Sequence, residues 1–172
     1  MSELIPVVGK KEIEDVIRDL AAKISEDYKN ADLVLMGVLK GAFIFLSDLS
    51  RHLSIPVQID FIQTSSYGAG TSSSGKIRLV KKPDINIRDK DVLLVEDIVD
   101  TGLTLQFLMD YLNSFHPRSV KVCAFLDKKE RRENDVAVDY ACKTVEKGFL
   151  VGYGLDYAEN YRSLPGIYHL KL

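Results

Sequence analysis

Two unbroken apolar runs constrain this chain more than anything else in it. Ala31 to Leu39 reads ADLVLMGVL, and Asp91 to Val95 reads DVLLV. A strand that is apolar at successive positions buries both faces, as in a parallel sheet with helices on either side. Each run is followed by a helical pattern. Phe43 to Leu53 follows the first; Thr101 to Phe115 follows the second, with Leu105, Leu108, Leu112 and Phe115 on one face. An amphipathic helix is predicted over Lys11 to Tyr28, where Ile13, Val16, Ile17, Leu20 and Ile24 recur at helical spacing. Further strands are predicted at Pro56 to Gln63, Lys76 to Lys82, Ser119 to Leu126, Ala137 to Thr144, Phe149 to Gly152 and Ile167 to Leu170. Alternating strands and helices give an α/β fold with a central parallel sheet flanked by helices. With 172 residues, no internal repeat and no linker, residues 1–172 read as a single domain. Such sheets bind ligands at the carboxyl ends of their strands, so the residues just after each strand carry the search.

Composition narrows the partners. With 23 basic and 25 acidic side chains the net charge is -2, and no basic excess points to a nucleic acid. The longest near-apolar stretch, Leu33 to Leu46, is interrupted by Lys40 and too short to span a membrane. The N-terminus lacks the apolar core of a secretory signal. Cys123 and Cys142 form no C-x-x-C pair and read as reduced thiols of a cytoplasmic protein. His52, His116 and His169 have no metal-ligand spacing, and no G-x-S-x-G elbow is present.

The chemistry concentrates in Val92 to Thr104, VLLVEDIVDTGLT. A buried strand delivers the paired acids Glu96 and Asp97 to the sheet edge. There they can accept hydrogen bonds from sugar hydroxyls or hold a hydrated magnesium ion. Asp100, Thr101, Gly102, Leu103 and Thr104 come next, at the start of a helix. Backbone N–H groups and hydroxyls at a helix N-terminus suit a phosphate, and Gly102 allows a close approach. The plainer reading makes Asp100 or Thr101 an ordinary helix cap and the acids solvated charge. Three acids and a Thr-Gly-x-Thr turn behind one buried strand fit that reading poorly.

This segment resembles the ribose-phosphate-binding signature of type I phosphoribosyltransferases. Three other segments, in the expected order, resemble the hypoxanthine-guanine members of that family. Leu39-Lys40-Gly41-Ala42 is similar to their pyrophosphate loop, which implies a cis peptide between Leu39 and Lys40. Lys128 in FLDKK matches a lysine that hydrogen-bonds the 6-oxo group of the base. Phe149 to Arg162, FLVGYGLDYAENYR, is similar to the base and metal segment. There Phe149 is expected to stack on the purine and the backbone of Leu150 to read the ring edge. Asp156 is expected to face a second magnesium ion, and Arg162 to meet the pyrophosphate. Leu150 stands where a valine is common, but the contact is from backbone. The resemblance further implies a small hood lobe over the base site and a homodimer or homotetramer. It implies that Asp100 is the catalytic acid–base group, beside N7 of the purine.

Thr64 to Gly75, TSSYGAGTSSSG, is small and polar. Long loops of this kind are often lids. In the resembling family it closes over the site, bringing Ser66 and Tyr67 to the pyrophosphate. Gly70 to Lys76 also matches the first seven positions of a P-loop, but Ile77 replaces the required Ser or Thr and a strand comes after it. Of the basic cluster Lys128, Lys129, Arg131 and Arg132, only Lys128 is assigned a role; the others read as solvated charge.

The expected activity is purine salvage. The 5-phosphoribosyl group passes from phosphoribosyl pyrophosphate to hypoxanthine or guanine, with Mg2+, giving IMP or GMP and pyrophosphate. The alternative is a non-catalytic sensor of phosphoribosyl pyrophosphate on the same fold, with a nucleic acid as its output. The charge balance and the complete set Lys40, Asp100, Lys128, Asp156 and Arg162 argue against it.

Overall fold

The computed structural model describes residues 3–67 and 76–171. In chain order these form β1 (Glu3–Val8), α1 (Lys10–Asp27), β2 (Leu33–Leu39), α2 (Phe43–His52), β3 (Gln58–Tyr67) and β4 (Lys76–Lys81). Then come β5 (Asp91–Val99), α3 (Leu103–Asn113), β6 (Ser119–Lys128), β7 (Tyr140–Val145), β8 (Leu150–Val151) and β9 (Ile167–Lys171).

The two apolar runs are β2 and β5, parallel neighbours at the centre of a six-stranded sheet of order β4-β3-β2-β5-β6-β7. All neighbours are parallel except β4, which pairs antiparallel with β3 at one edge. On one face Leu33, Leu35, Leu93 and Val95 pack with Ile17 and Ile24 of α1 and Phe45 and Leu49 of α2. On the other, Val34, Met36, Val92 and Leu94 meet Leu105, Leu108 and Leu112 of α3. This is the α/β architecture expected of the type I phosphoribosyltransferase fold. A second sheet of order β1-β9-β8 is built from the two ends of the chain, as the expected hood requires.

Several boundaries differ from the sequence reading, such as β7, which starts at Tyr140 and not Ala137; four differences bear on the site and the hood. β1 is an addition: Glu3 to Val8 pairs antiparallel with β9. β5 continues through Glu96 to Val99, so the paired acids lie in the strand and not after it. α3 starts at Leu103, two residues beyond the predicted start at Thr101. Thr64 to Tyr67, assigned to the lid, extend β3, because β4 supplies a ladder partner for each of them. The rest of that loop, 68–75, lies outside the described residues, and so do the lid reading and most of the P-loop-like stretch. Lys76 opens a strand, as the rejection of the P-loop requires. Both cysteines are free. No helix of the described residues is long and apolar enough to cross a membrane.

Candidate active site

Parallel register sets the strand ends level. Gly37 of β2 pairs with Val95 of β5, and Val99 of β5 pairs with Asp127 of β6. The chain therefore leaves β2, β5 and β6 along one sheet edge, carrying Lys40–Gly41, Asp100–Thr104 and Lys128.

Glu96 and Asp97 close the floor. Asp97 N–H donates to Glu96 Oε1 at 3.1 Å, and Ile98 N–H to Asp97 Oδ1 at 2.7 Å. Burial, and then the charge of Asp97, push the Glu96 carboxyl well above its usual range. Burial raises Asp97 too, opposed by its hydrogen bonds with Glu96 and Ile98 and by the Arg162 guanidinium. Two desolvated acids side by side favour a shared proton or a cation between them.

Asp100 is half-buried. Its Oδ1 is buried and has no hydrogen-bond partner among the described residues. Its Oδ2 lies 3.4 Å from Nη1 of Arg131. The helix cap is Gly102, at φ +87°, with no side-chain cap hydrogen bond. Asp100 is therefore not the cap. Leu103 N–H donates to Thr101 Oγ1 at 3.3 Å, and the remaining first-turn N–H groups of α3 are placed to meet an anion. Glu96, Asp97, Asp100, Thr101, Gly102 and Thr104 line a cavity of about 170 Å³ at this point.

Arg132 holds this wall in place, which corrects its reading as solvated charge. Its Nε donates to the Asp100 carbonyl at 3.0 Å. Its Nη2 donates to the carbonyls of Val99 (3.4 Å) and Lys128 (3.2 Å) and to Asp127 Oδ1 (2.5 Å). The Thr101 carbonyl accepts from the N–H groups of Glu133 and Asn134. Asp127 was also missed. The one available signal was an acid inside the otherwise apolar end of β6.

The Leu39–Lys40 peptide is cis, as the resemblance implied. The loop is packed on both sides. A methyl group on Gly41 would overlap the Asp97 carboxylate, and one on Gly154 would overlap the Gly41 carbonyl. Both positions require glycine for that close approach.

Lys40 Nζ lies 2.7 Å from Glu159 Oε2. Arg162 Nη2 lies 3.1 Å from Glu159 Oε1 and 3.2 Å from Asp156 Oδ1. Arg162 Nη1 donates to the Gly154 carbonyl, while its buried Nε has no partner among the described residues. Hydrogen bonds from Lys40 and then Arg162 hold the Glu159 carboxyl below its usual range. Glu159 is a second residue that the sequence reading passed over.

Lys128 ends β6 and is buried, its Nζ 3.5 Å from Glu130. Phe149 is half-exposed, and its ring meets Tyr157 edge-on at 5.6 Å. Leu150 is buried in β8. Lys128 and Phe149 join the rest through Arg132, which donates to the Lys128 carbonyl, and through Tyr157, the neighbour of Asp156. Ser66 is exposed on β3, paired with Ile77; no described contact joins it to Lys40 or Arg162. Tyr67 belongs to the same strand.

No group of three or more His, Cys, Asp or Glu that could hold a metal occurs among the described residues. A larger cavity of about 430 Å³ is lined by residues of α1 and α2 with Tyr153, Leu164 and Pro165, and by none of the predicted residues.

The phosphoribosyl transferase domain family matches residues 9–158. A hypoxanthine-guanine phosphoribosyltransferase of Aquifex aeolicus is 48% identical over 166 residues, covering 96% of this chain and 93% of its own. The protein of that name from Dictyostelium discoideum is 47% identical over 169 residues, covering 96% and 94%. The chain belongs to the hypoxanthine-guanine phosphoribosyltransferase family. A solved member of this family, from Bacillus anthracis, superposes with a TM-score of 0.93 at 39% identity, covering 100% of both chains. The family match reaches the phosphate segment and Asp156 but ends before Arg162; the full-length relatives span that end too.

Proposed function

We propose that this member of the family transfers the 5-phosphoribosyl group from phosphoribosyl pyrophosphate to hypoxanthine or guanine, releasing pyrophosphate. The observation that carries the reading is the buried Oδ1 of Asp100, without a partner among the described residues, beside a helix N-terminus whose cap residue, Gly102, has no side chain to offer. A buried acceptor without a donor is rare in folded proteins, and a substrate donor satisfies it.

The α3 N-terminus and the hydroxyls of Thr101 and Thr104 bind the 5-phosphate. Glu96 and Asp97 hold the ribose hydroxyls. Lys40, the Gly41 backbone and Arg162 bind the pyrophosphate, and the unpaired Arg162 Nε supplies a ready donor. Phe149 stacks on the base, and the Leu150 backbone reads its edge. Lys128, which has only donors, donates to a 6-oxo group and rejects the 6-amino group of adenine. Ser66 and Tyr67 reach the pyrophosphate from the β3 end. Asp100 shares or takes the N7 proton of the purine as N9 attacks the anomeric carbon.

Magnesium fits these residues. The chain offers dispersed carboxylates and no three-ligand cage among the described residues, and magnesium is commonly held by one or two carboxylates plus substrate phosphates. Glu96 and Asp97 would hold one ion, and Asp156 would face a second. Magnesium supplies charge neutralisation to the leaving pyrophosphate. We further assign the chain to the cytoplasm, as a single domain acting in a homodimer or homotetramer.

A spectrophotometric assay of hypoxanthine, guanine, xanthine and adenine tests the assignment: turnover of the 6-oxopurines and not of adenine is expected. In single-turnover measurements Asp100→Asn should lower the chemical rate by about 10²-fold. A folded Asp100→Asn enzyme with the parent rate would remove Asp100 from the chemistry.

A further inference from the structure

One carboxylate sits where the proposed reaction needs another anion. Glu159 spans the two cations assigned above to pyrophosphate, with Oε2 at 2.7 Å from Lys40 Nζ and Oε1 at 3.1 Å from Arg162 Nη2. Lys40 lies just after β2, whereas Arg162 lies in the segment after β8, so Glu159 also ties two distant loops together. We infer that Glu159 is an internal stand-in anion: it occupies the Lys40–Arg162 pair in the free protein and competes with pyrophosphate for it.

Three features make Glu159 displaceable. Its side chain is 63% exposed, and its only described side-chain partners are the two cations. It can swing outward without losing packing. Arg162 does not depend on it, because Nη1 is fixed by the Gly154 carbonyl at 2.8 Å and Nη2 also meets Asp156 at 3.2 Å. Lys40 is 56% exposed and has a flexible stem that can move with an incoming phosphate. The backbone presents the carboxylate on a tight turn. Ala158 and Glu159 have φ of +49° and +65°, and the Glu159 N–H donates to Asp156 Oδ2 at 2.9 Å.

The consequence is a lowered affinity for the product. Pyrophosphate binding must first release the Lys40 and Arg162 donors, and the displaced carboxylate stays near as a like charge. On departure of pyrophosphate, Glu159 returns to the cations and hinders rebinding. Since product release limits many enzymes, a stand-in anion here speeds the cycle by discouraging retention of the leaving group. Glu159 is thus a residue that sets pyrophosphate affinity without touching the ribose or the base.

The inference rests on Lys40 and Arg162 being the pyrophosphate groups, and the test separates the two. Binding of magnesium pyrophosphate to the full-length protein is measured calorimetrically for the parent, Glu159→Gln, Lys40→Ala and Arg162→Ala. Glu159→Gln keeps size and polarity, so an exposed site folds normally. It should bind pyrophosphate about fivefold more tightly, the scale of two exposed ion pairs released. That gain should shrink at high salt. Product inhibition by pyrophosphate should strengthen in step. Lys40→Ala and Arg162→Ala should both weaken binding. If they do and Glu159→Gln leaves affinity unchanged, Glu159 is an idle surface pair and the inference fails alone. Weaker binding by Glu159→Gln would instead make it a metal or positioning group, which also overturns the inference. If neither alanine variant affects binding, the pyrophosphate assignment falls and takes this inference with it.

Discussion

Arg132 braces the loop that carries Asp100 with a single guanidinium. Its Nε and Nη2 groups serve three carbonyls and one carboxylate, a planar fork that lysine cannot reproduce. Asp127, its ionic partner, has a side chain only 11% exposed. Arg132→Ala would leave that charge nearly buried and unpaired, at a cost of about 3 kcal/mol in stability, read by denaturant unfolding. Arg132→Lys should recover the charge but not the loop, giving better stability than alanine with catalysis still impaired. Equal stability of parent and alanine variant would return Arg132 to the solvated cluster. The sequence distinguishes Asp100, Glu96 and Asp97 because a buried strand delivers three acids together. It does not distinguish Arg132 from Lys129 or Arg131, because a latched and a solvated arginine have the same letter and similar neighbours. Glu159 was hidden in the same way: its partners lie on other loops, and spacing carries no trace of them.

At the scale of elements, β3 and β4 show how a strand end is held. Asp60 of β3 is buried, and burial alone would raise its carboxyl. Backbone N–H groups of Ile85, Phe61 and Asp84, with the charge of Lys81, more than offset this and hold it below the usual range. The three N–H donors lie at 2.6 to 2.8 Å, stapling the turn after β4 back onto the sheet. A depressed carboxyl stabilises the fold fully above its unfolded pKa. That contribution is lost as pH falls from there through the lower folded value. Asp60→Asn should therefore destabilise by about 2 kcal/mol at neutral pH. The gap between parent and variant should close as pH drops below the ordinary carboxylate range. A gap that persists unchanged at low pH would mean that packing, and not charge, is at work. The helices and the buried strands were legible because their apolar periods are strong. β1 was not: Pro6 interrupts it, most of its residues are exposed, and its partner β9 lies at the opposite end of the chain. Thr64 to Tyr67 read as loop because small polar residues describe both a loop and an exposed edge strand, and only the pairing with β4 decides.

For the molecule as a whole, the two sheets share one core. Val8, Leu150 and Ile167 of the small sheet pack in the same cluster as Ile17 of α1 and Leu93 of the central sheet. The hood has no separate interior, so the chain should unfold as one unit. Followed by amide signals in a urea titration, Leu170 of β9 and Leu94 of β5 should share one midpoint. Earlier loss of Leu170 would make the hood an independent module. The α/β class was readable from two apolar runs, and the active-site edge from the residues at their carboxyl ends. The shared core was not, since it joins residues from both ends of the chain.

The contact of Gly154 with the Gly41 carbonyl, and of Gly41 with Asp97, has a consequence for how such a protein can change over time. Two loops and the end of β5, from distant parts of the chain, meet there with no space for a methyl group on either glycine. An alteration in one must be answered in the others at once, so stepwise drift is closed to this side of the site. Phe149 is different: it is half-exposed and its ring meets the side chain of Tyr157 edge-on, so a neighbour can be exchanged without disturbing a backbone. On the proposed function, the base side of the site is therefore open to change one substitution at a time, while the side assigned to the leaving group is not.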